Sequence, residues 1–119
     1  MHELGLLRSV VTAVEQAVMT SGATDVEAVG LRVGSLCGAV DEALVGAWPI
    51  ATAHTVVAGA RLEIESVQAA IWCPGCACEQ PVDQFFALTC PVCGTPSGNL
   101  VRGREFAVAF ADLTIPGHD

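Results

Sequence analysis

The chain opens Met1-His2-Glu3, and much further along it carries two Cys-Pro-x-Cys turns. A free α-amine at Met1, the next peptide nitrogen and the imidazole of His2 can close fused five- and six-membered rings around one ion. All-nitrogen donation of that kind suits a square-planar divalent metal such as nickel or copper. Met1 is expected to survive processing, because the aminopeptidase that trims initiator methionine needs a small second residue and His2 is bulky. Taken alone, a histidine at position two is more often a solvated terminal side chain than a ligand, since short motifs are weak signals.

The cysteines carry a stronger signal. Four of the six form Cys73-x-x-Cys76 and Cys90-x-x-Cys93, with thirteen residues between the pairs. In a chain without a secretory signal, such spacing reads as metal ligation before disulfide formation. Each pair makes a tight turn that aims two thiolates at one ion, stiffened by Pro74 or Pro91. Gly94 follows the second turn, where a glycine can take positive φ and let backbone amides face the sulfurs; Ala77 holds that place in the first. Four thiolates suit a closed, tetrahedral zinc site, which is structural by default. Iron in a rubredoxin-like site is the alternative. Cys37 and Cys78 are left over, and both read as small side chains without a metal role, Cys37 as a buried hydrophobe in a turn after a strand.

The elements that must position these groups alternate between helix and strand. Leu4, Leu7, Val11, Val14 and Val18 recur at three- and four-residue steps, which predicts a helix closed by Ser21-Gly22. Val29, Leu31 and Val33 alternate with Gly30 and Arg32, predicting a strand that ends at Gly34. Asp41-Glu42 open a second helical pattern through Leu44, Trp48 and Ala51, which Pro49 is expected to kink or end near Trp48. Leu62 and Ile64 mark a second strand; Phe106, Val108 and Phe110 mark a third. The Pro-Gly-His-Asp tail is expected to fray. This order predicts an α+β fold in which two helices pack on a small three-stranded sheet, with a four-cysteine, zinc-ribbon-like domain inserted. The expected domains are 1–70 with 100–119, and 71–99.

Composition narrows the class. The 119 residues suit one domain with a small inserted module. Thirteen acids against five arginines leave a net charge of −8, which argues against a nucleic-acid backbone as partner. The amino terminus lacks a basic n-region, and Arg8, Glu15 and Gln16 interrupt its apolar run, so no signal peptide is expected and a cytoplasmic location is. Ala43 to Ala60 contains no Asp, Glu, Lys or Arg and reaches the roughly 18-residue span threshold. Gly46, Pro49, Thr52, His54, Thr55 and Gly59 within it favour a buried helix plus a turn over a membrane span. His54 reads as a loop or core histidine and His118 as a tail residue. No nucleophile–base pair or open metal site marks an enzyme.

Together these blocks resemble a known pattern: Met1-His2-Glu3-Leu4, Gly34-Ser35-Leu36, Glu42-Ala43-Leu44 and Gly59-Ala60-Arg61-Leu62-Glu63-Ile64. Trp72-Cys73-Pro74-x-Cys76, Cys90-Pro91-x-Cys93-Gly94 and Gly103-Arg104-Glu105 continue it. Over nearly its whole length, from Met1 to about Leu113, the chain resembles the HypA/HybF family of hydrogenase maturation factors. That resemblance implies a nickel metallochaperone with a nickel domain and a separate zinc domain. It would insert Ni(II) into the large subunit of nickel–iron hydrogenase with the GTPase HypB, and some members also serve urease. By position, His2 would be the principal nickel ligand, with the Met1 amine and nearby backbone nitrogens, and Glu3 would contribute its amide or its carboxylate. Cys73, Cys76, Cys90 and Cys93 would hold structural Zn(II). Asp41 in place of a common proline, Pro49, the apolar Ala109-Phe110-Ala111, and Cys37 and Cys78 depart from the family pattern without touching either metal site. A monomer or weak homodimer is expected. The competing readings are a structural zinc-ribbon adaptor and a rubredoxin-like electron carrier.

Overall fold

The computed structural model describes residues 2–82 and 88–117. Its elements run α1 (His2–Ser21), β1 (Asp25–Gly34), α2 (Asp41–Thr52), β2 (Arg61–Val67), β3 (Ala70–Cys73), β4 (Cys78–Pro81), β5 (Leu100–Arg102) and β6 (Phe106–Thr114). They form two three-stranded sheets, in the orders β2-β1-β6 and β4-β3-β5. The last strand returns to the first sheet after the cysteine region, as the alternation around Phe106, Val108 and Phe110 predicts. The chain divides into two compact units. One comprises Met1–Leu31, Ala39–Ile64 and Ala107–Asp119, and the other Arg32–Gly38 and Glu65–Phe106.

The first unit is built on apolar helix faces. Leu7, Val10, Val11 and Val14 are buried along α1, the stripe that three- and four-residue spacing demands. Gly22 ends that helix at φ +75°, and its amide reaches the Val18 carbonyl at 3.0 Å, closing the last turn with a left-handed residue. Val26, Ala28, Val29 and Leu31 of β1 join this core, with Leu44, Trp48 and Ala51 of α2 and Val57 beyond it. Gly30 lies under the Phe110 ring, whose nearest atom stands 2.1 Å from where a β-carbon would be, so a larger residue there would have to displace the ring.

Of the two outcomes expected at Pro49, a kink or an end, the end does not occur; the helix continues to Thr52. Two side-chain bonds, one to the chain beyond the helix and one within it, hold the last turn. The Trp48 indole donates to the Ala60 carbonyl at 2.8 Å, and the Thr52 hydroxyl donates to the Trp48 carbonyl at 2.9 Å, both buried. The missing Pro49 amide would have bonded the carbonyl of Val45, an exposed residue, so the loss falls on the solvent side. Among the described residues, no helix is long and apolar enough to cross a membrane.

The second unit has its own small core of Ala69, Ile71 and Val82, flanked by Leu36, Leu88 and Leu100. β3 pairs with β4 in the register Ala70↔Pro81 to Cys73↔Cys78, which makes the first Cys-x-x-Cys turn the head of a hairpin. Leu36 donates to the Gly103 carbonyl at 2.7 Å, and Gly103, at φ +131°, lies too close to Ala69 to carry a side chain. Strands of three and four residues were not anticipated; they are too short to show an alternation of their own.

Candidate metal centre

Hairpin geometry brings the four predicted cysteines together. The Sγ atoms of Cys73, Cys76, Cys90 and Cys93 all lie within 4.8 Å of one another. Cys73 and Cys93 approach to 3.4 Å, and Cys76 and Cys90 to 3.8 Å. A tetrahedral ion with metal–sulfur bonds near 2.3 Å would set its sulfurs about 3.8 Å apart. The donor set and its size therefore fit a tetrahedral zinc ion. A zinc ion there would supply a structural cross-link between the two turns and no open position for chemistry.

Each turn uses the same backbone device. The Cys76 amide donates to Cys73 Sγ at 3.3 Å; the Val92 and Cys93 amides donate to Cys90 Sγ at 3.4 Å each. Gly94 has φ +75°, and its amide donates to the Cys90 carbonyl at 2.9 Å. Ala77 adopts the same left-handed conformation at φ +54°, although it has a side chain. Gly75 has a different reason to be small. A β-carbon there would stand 3.3 Å from Cys93 Sγ and 3.0 Å from Thr95 Oγ1.

The thiols differ electrostatically. Cys93 Sγ lies 3.0 Å from the Thr95 hydroxyl. That contact, seconded by the Thr95 amide, brings Cys93 down to about 6. Cys76 goes the other way, pushed up to about 12 by bonds with the sulfurs of Cys93, Cys90 and Cys73. The Cys76 amide favours the Cys73 thiolate, but burial and the sulfurs of Cys93 and Cys90 outweigh it and raise that thiol. Burial opposes ionisation of Cys90, yet the amides of Cys93 and Val92 prevail and lower it. Thr95 was not singled out in the sequence. The only signal for it is positional: it stands two residues past Cys93, as Cys78 stands two past Cys76.

Cys78 is exposed, outside the four-thiol group, and accepts a bond from the Gln80 side-chain amide at 3.4 Å. Cys37 is half-buried in a turn after β1, rather than fully buried as its reading had it.

At the other predicted site, α1 begins at His2, whose side chain is exposed. Met1 and His118 lie outside the described residues. Glu3 has a partner that the sequence did not disclose. Its carboxylate accepts from the Val40 amide, the N-cap position of α2, at 3.4 Å. Glu3 is held below the usual carboxylate range by its own backbone amide first, against some desolvation, and then by the Val40 amide and the nearby charges of His2 and the amino terminus. Val40 has no side-chain cap of its own, so a carboxylate from α1 serves instead. His54 lies exposed in the turn after α2, at φ +64°.

A family model described as hydrogenase/urease nickel incorporation, metallochaperone, HypA, matches residues 1–113. The chain belongs to the HypA family. Two hydrogenase maturation factors HypA bear this out. That of Chloroflexus aurantiacus is 39% identical over 105 residues, spanning 88% of this chain and 92% of that protein. That of Nitrosospira multiformis is 37% identical over 113 residues, spanning 95% of this chain and 97% of that protein. The fold is also shared with solved structures. The solution structure of the Ni metallochaperone HypA from Helicobacter pylori matches with a TM-score of 0.60 at 18% identity, over 91% of this chain and 97% of that one. A second solution structure of a HypA protein matches with a TM-score of 0.66 at 20% identity, over 95% of this chain and 96% of that one. This HypA chain thus joins a metallochaperone fold to a cysteine group arranged to hold a metal ion.

Proposed function

We propose that this HypA-family chain carries Ni(II) at its amino terminus and delivers it for maturation of nickel–iron hydrogenase together with a HypB-type GTPase, in the cytoplasm. In this reading the Met1 amine, the His2 imidazole and the intervening peptide nitrogen chelate the ion. Glu3 contributes through its backbone amide, since its carboxylate is already committed to Val40. Residues 1–70 and 100–119 form the nickel-binding part. Residues 71–99 hold a structural Zn(II) through Cys73, Cys76, Cys90 and Cys93. Urease maturation is a second destination for the cargo, in keeping with the family description.

The observation that carries this reading is the placement of His2 at the start of α1 with its side chain exposed. A side chain on the first turn is oriented by the helix while one side stays open to a donor or acceptor protein. An open site of this kind fits affinity on the order of micromolar, about 8 kcal/mol, which permits release. Protons compete for the same nitrogen lone pairs, so nickel is released as pH falls.

Calorimetric nickel titration of the zinc-loaded protein tests the proposal, run beside a variant with two extra amino-terminal residues. One moderate-affinity site that vanishes in the extended variant supports chelation by the Met1 amine and His2. Equal binding by both overturns the terminal site, and no binding by either favours a zinc-ribbon adaptor.

A further inference from the structure

Where the chain leaves β5 it bends around an open groove of about 400 Å³, lined by Leu100, Val101, Arg102, Gly103, Arg104 and Glu105 and mostly by apolar atoms. Within its sheet β5 hydrogen-bonds to β3 alone, so its other side is an open edge. The register runs Ala70↔Arg102 and Ile71↔Leu100, which leaves Val101 as the extra residue of a bulge, 43% exposed. The bend is fixed from behind. Gly103, at φ +131°, donates its amide to Glu105 Oε1 at 2.6 Å, and its carbonyl accepts from the Leu36 amide at 2.7 Å. The groove is therefore built before any ligand arrives. Two of its three charged side chains are already committed. Arg102 is bound to Glu79 at 2.6 Å, and the Glu105 carboxylate holds the Gly103 amide. Arg104 is exposed and makes no ion pair among the described residues, although the chain has thirteen acids for its five arginines.

We propose that this groove docks an extended, acidic segment of a partner protein. A carboxylate of the segment pairs with Arg104, an apolar side chain covers Val101, and the segment's backbone runs along the open edge of β5. Charge selects this occupant. A basic segment would set its cations against Arg102 and Arg104, and an uncharged one would leave Arg104 unpaired beside apolar surface. Strand addition of this kind draws affinity from main-chain bonds and specificity from alternate side chains. A contact made by so short a strand falls far below the roughly 800 Å² per partner of a standard stable interface, so the association is weak and transient. The surface belongs to the second unit alone and is independent of the nickel reading.

Titration of the full-length, zinc-loaded, isotope-labelled protein with the capped peptide Val-Glu-Val-Glu-Val tests it, read by amide chemical shifts. Saturable shifts centred on Leu100 to Glu105 are expected, with the counterpart Val-Lys-Val-Lys-Val binding about fivefold more weakly or less. Arg104→Gln and Val101→Asp should each weaken the acidic peptide about fivefold or more, with zinc content and melting temperature unchanged. Absence of shifts at these residues up to roughly 5 mM peptide overturns the proposal, as does equal binding of the lysine peptide. Full affinity in Arg104→Gln overturns the role given to that side chain. Displacement of the peptide by an equal concentration of inorganic phosphate would reduce the groove to a simple anion site and overturn the extended segment.

Discussion

The four-thiol centre and the amino-terminal turn differ in how completely the polypeptide has prepared them. At the centre, two hairpin turns bring four sulfurs to within 4.8 Å of one another, and three backbone amides already point at Cys73 and Cys90. Cys73 and Cys90 are buried. At the terminus the one described side chain with a nitrogen donor, His2, is exposed, and the neighbouring carboxylate is engaged by Val40. A closed donor set keeps its ion; a half-built one can surrender it. On the proposed reading, the first suits a resident zinc and the second a nickel cargo.

The contrast is broken most severely by Cys90→Ser. The hydroxyl is a poor zinc ligand, and metal binding and folding are one equilibrium in small metal-bound units. Zinc content by elemental analysis should fall to near zero, and amide protection should be lost from Ala70 to Arg102. Nickel affinity at the terminus is a separate readout. Retention of zinc and protection by the variant would remove the argument that four thiolates are needed.

Thr95→Val probes the electrostatics of the centre without touching a ligand. Cys93 is held at about 6, against an ordinary 9.0, by the Thr95 hydroxyl and amide. A depressed thiol favours the folded state most fully above the unfolded value of 9.0, and that contribution is lost as pH falls through about 6. Cys76, raised to about 12, acts in the opposite sense: its contribution is present below 9.0 and lost as pH rises toward 12. Without the Thr95 hydroxyl, protons compete for Cys93 at higher pH. Zinc affinity at neutral pH should drop about fivefold to tenfold, the size expected for one hydrogen bond, and zinc release on acidification should begin earlier. A chelator competition measured across that pH range reads both, and an unchanged release curve would assign Thr95 no part.

The two turns can be compared through their left-handed residues. Gly94→Ala places a side chain at φ +75° with nothing within 4 Å to obstruct it, so the penalty is conformational, about 1 kcal/mol. Ala77→Gly relieves the same kind of conformation at φ +54° and should stabilise by roughly half as much, because glycine also gains freedom in the unfolded chain. Thermal melts of the zinc-loaded variants should therefore move in opposite directions. Equal and like-signed shifts would show that the turns do not share one backbone design.

These residues also show how much the sequence discloses. The cysteine group was legible because ligand chemistry fixes side-chain type and spacing within a few residues, and Gly94 was legible because glycine advertises positive φ. Ala77 advertises nothing, though it adopts the same conformation. Helix α1 and the strands β1, β2 and β6 announce themselves by period over several residues. β3, β4 and β5 do not, being three or four residues long. Pro49 does not end α2, because the Trp48 and Thr52 bonds hold the turn beyond it. The Glu3–Val40 bond joins residues far apart in the chain, a pairing that spacing cannot reveal.

The smallest expected effect belongs to Glu3→Gln, and it is the most discriminating at the terminus. If the carboxylate only caps Val40, the variant should keep nickel affinity within about threefold, because the backbone amide remains in place. Its melting temperature should fall by about two degrees near neutral pH, as an exposed charge-assisted bond becomes a neutral one. The lowered Glu3 carboxylate favours the folded state above its ordinary 4.5 and loses that contribution as pH falls. The difference between wild type and variant should therefore close on acidification below that value. If the carboxylate instead enters the nickel sphere, affinity should drop more than tenfold while the melting shift stays small. Calorimetry and melting of one variant thus separate a residue that holds the first turn of α1 in place from one that holds the cargo.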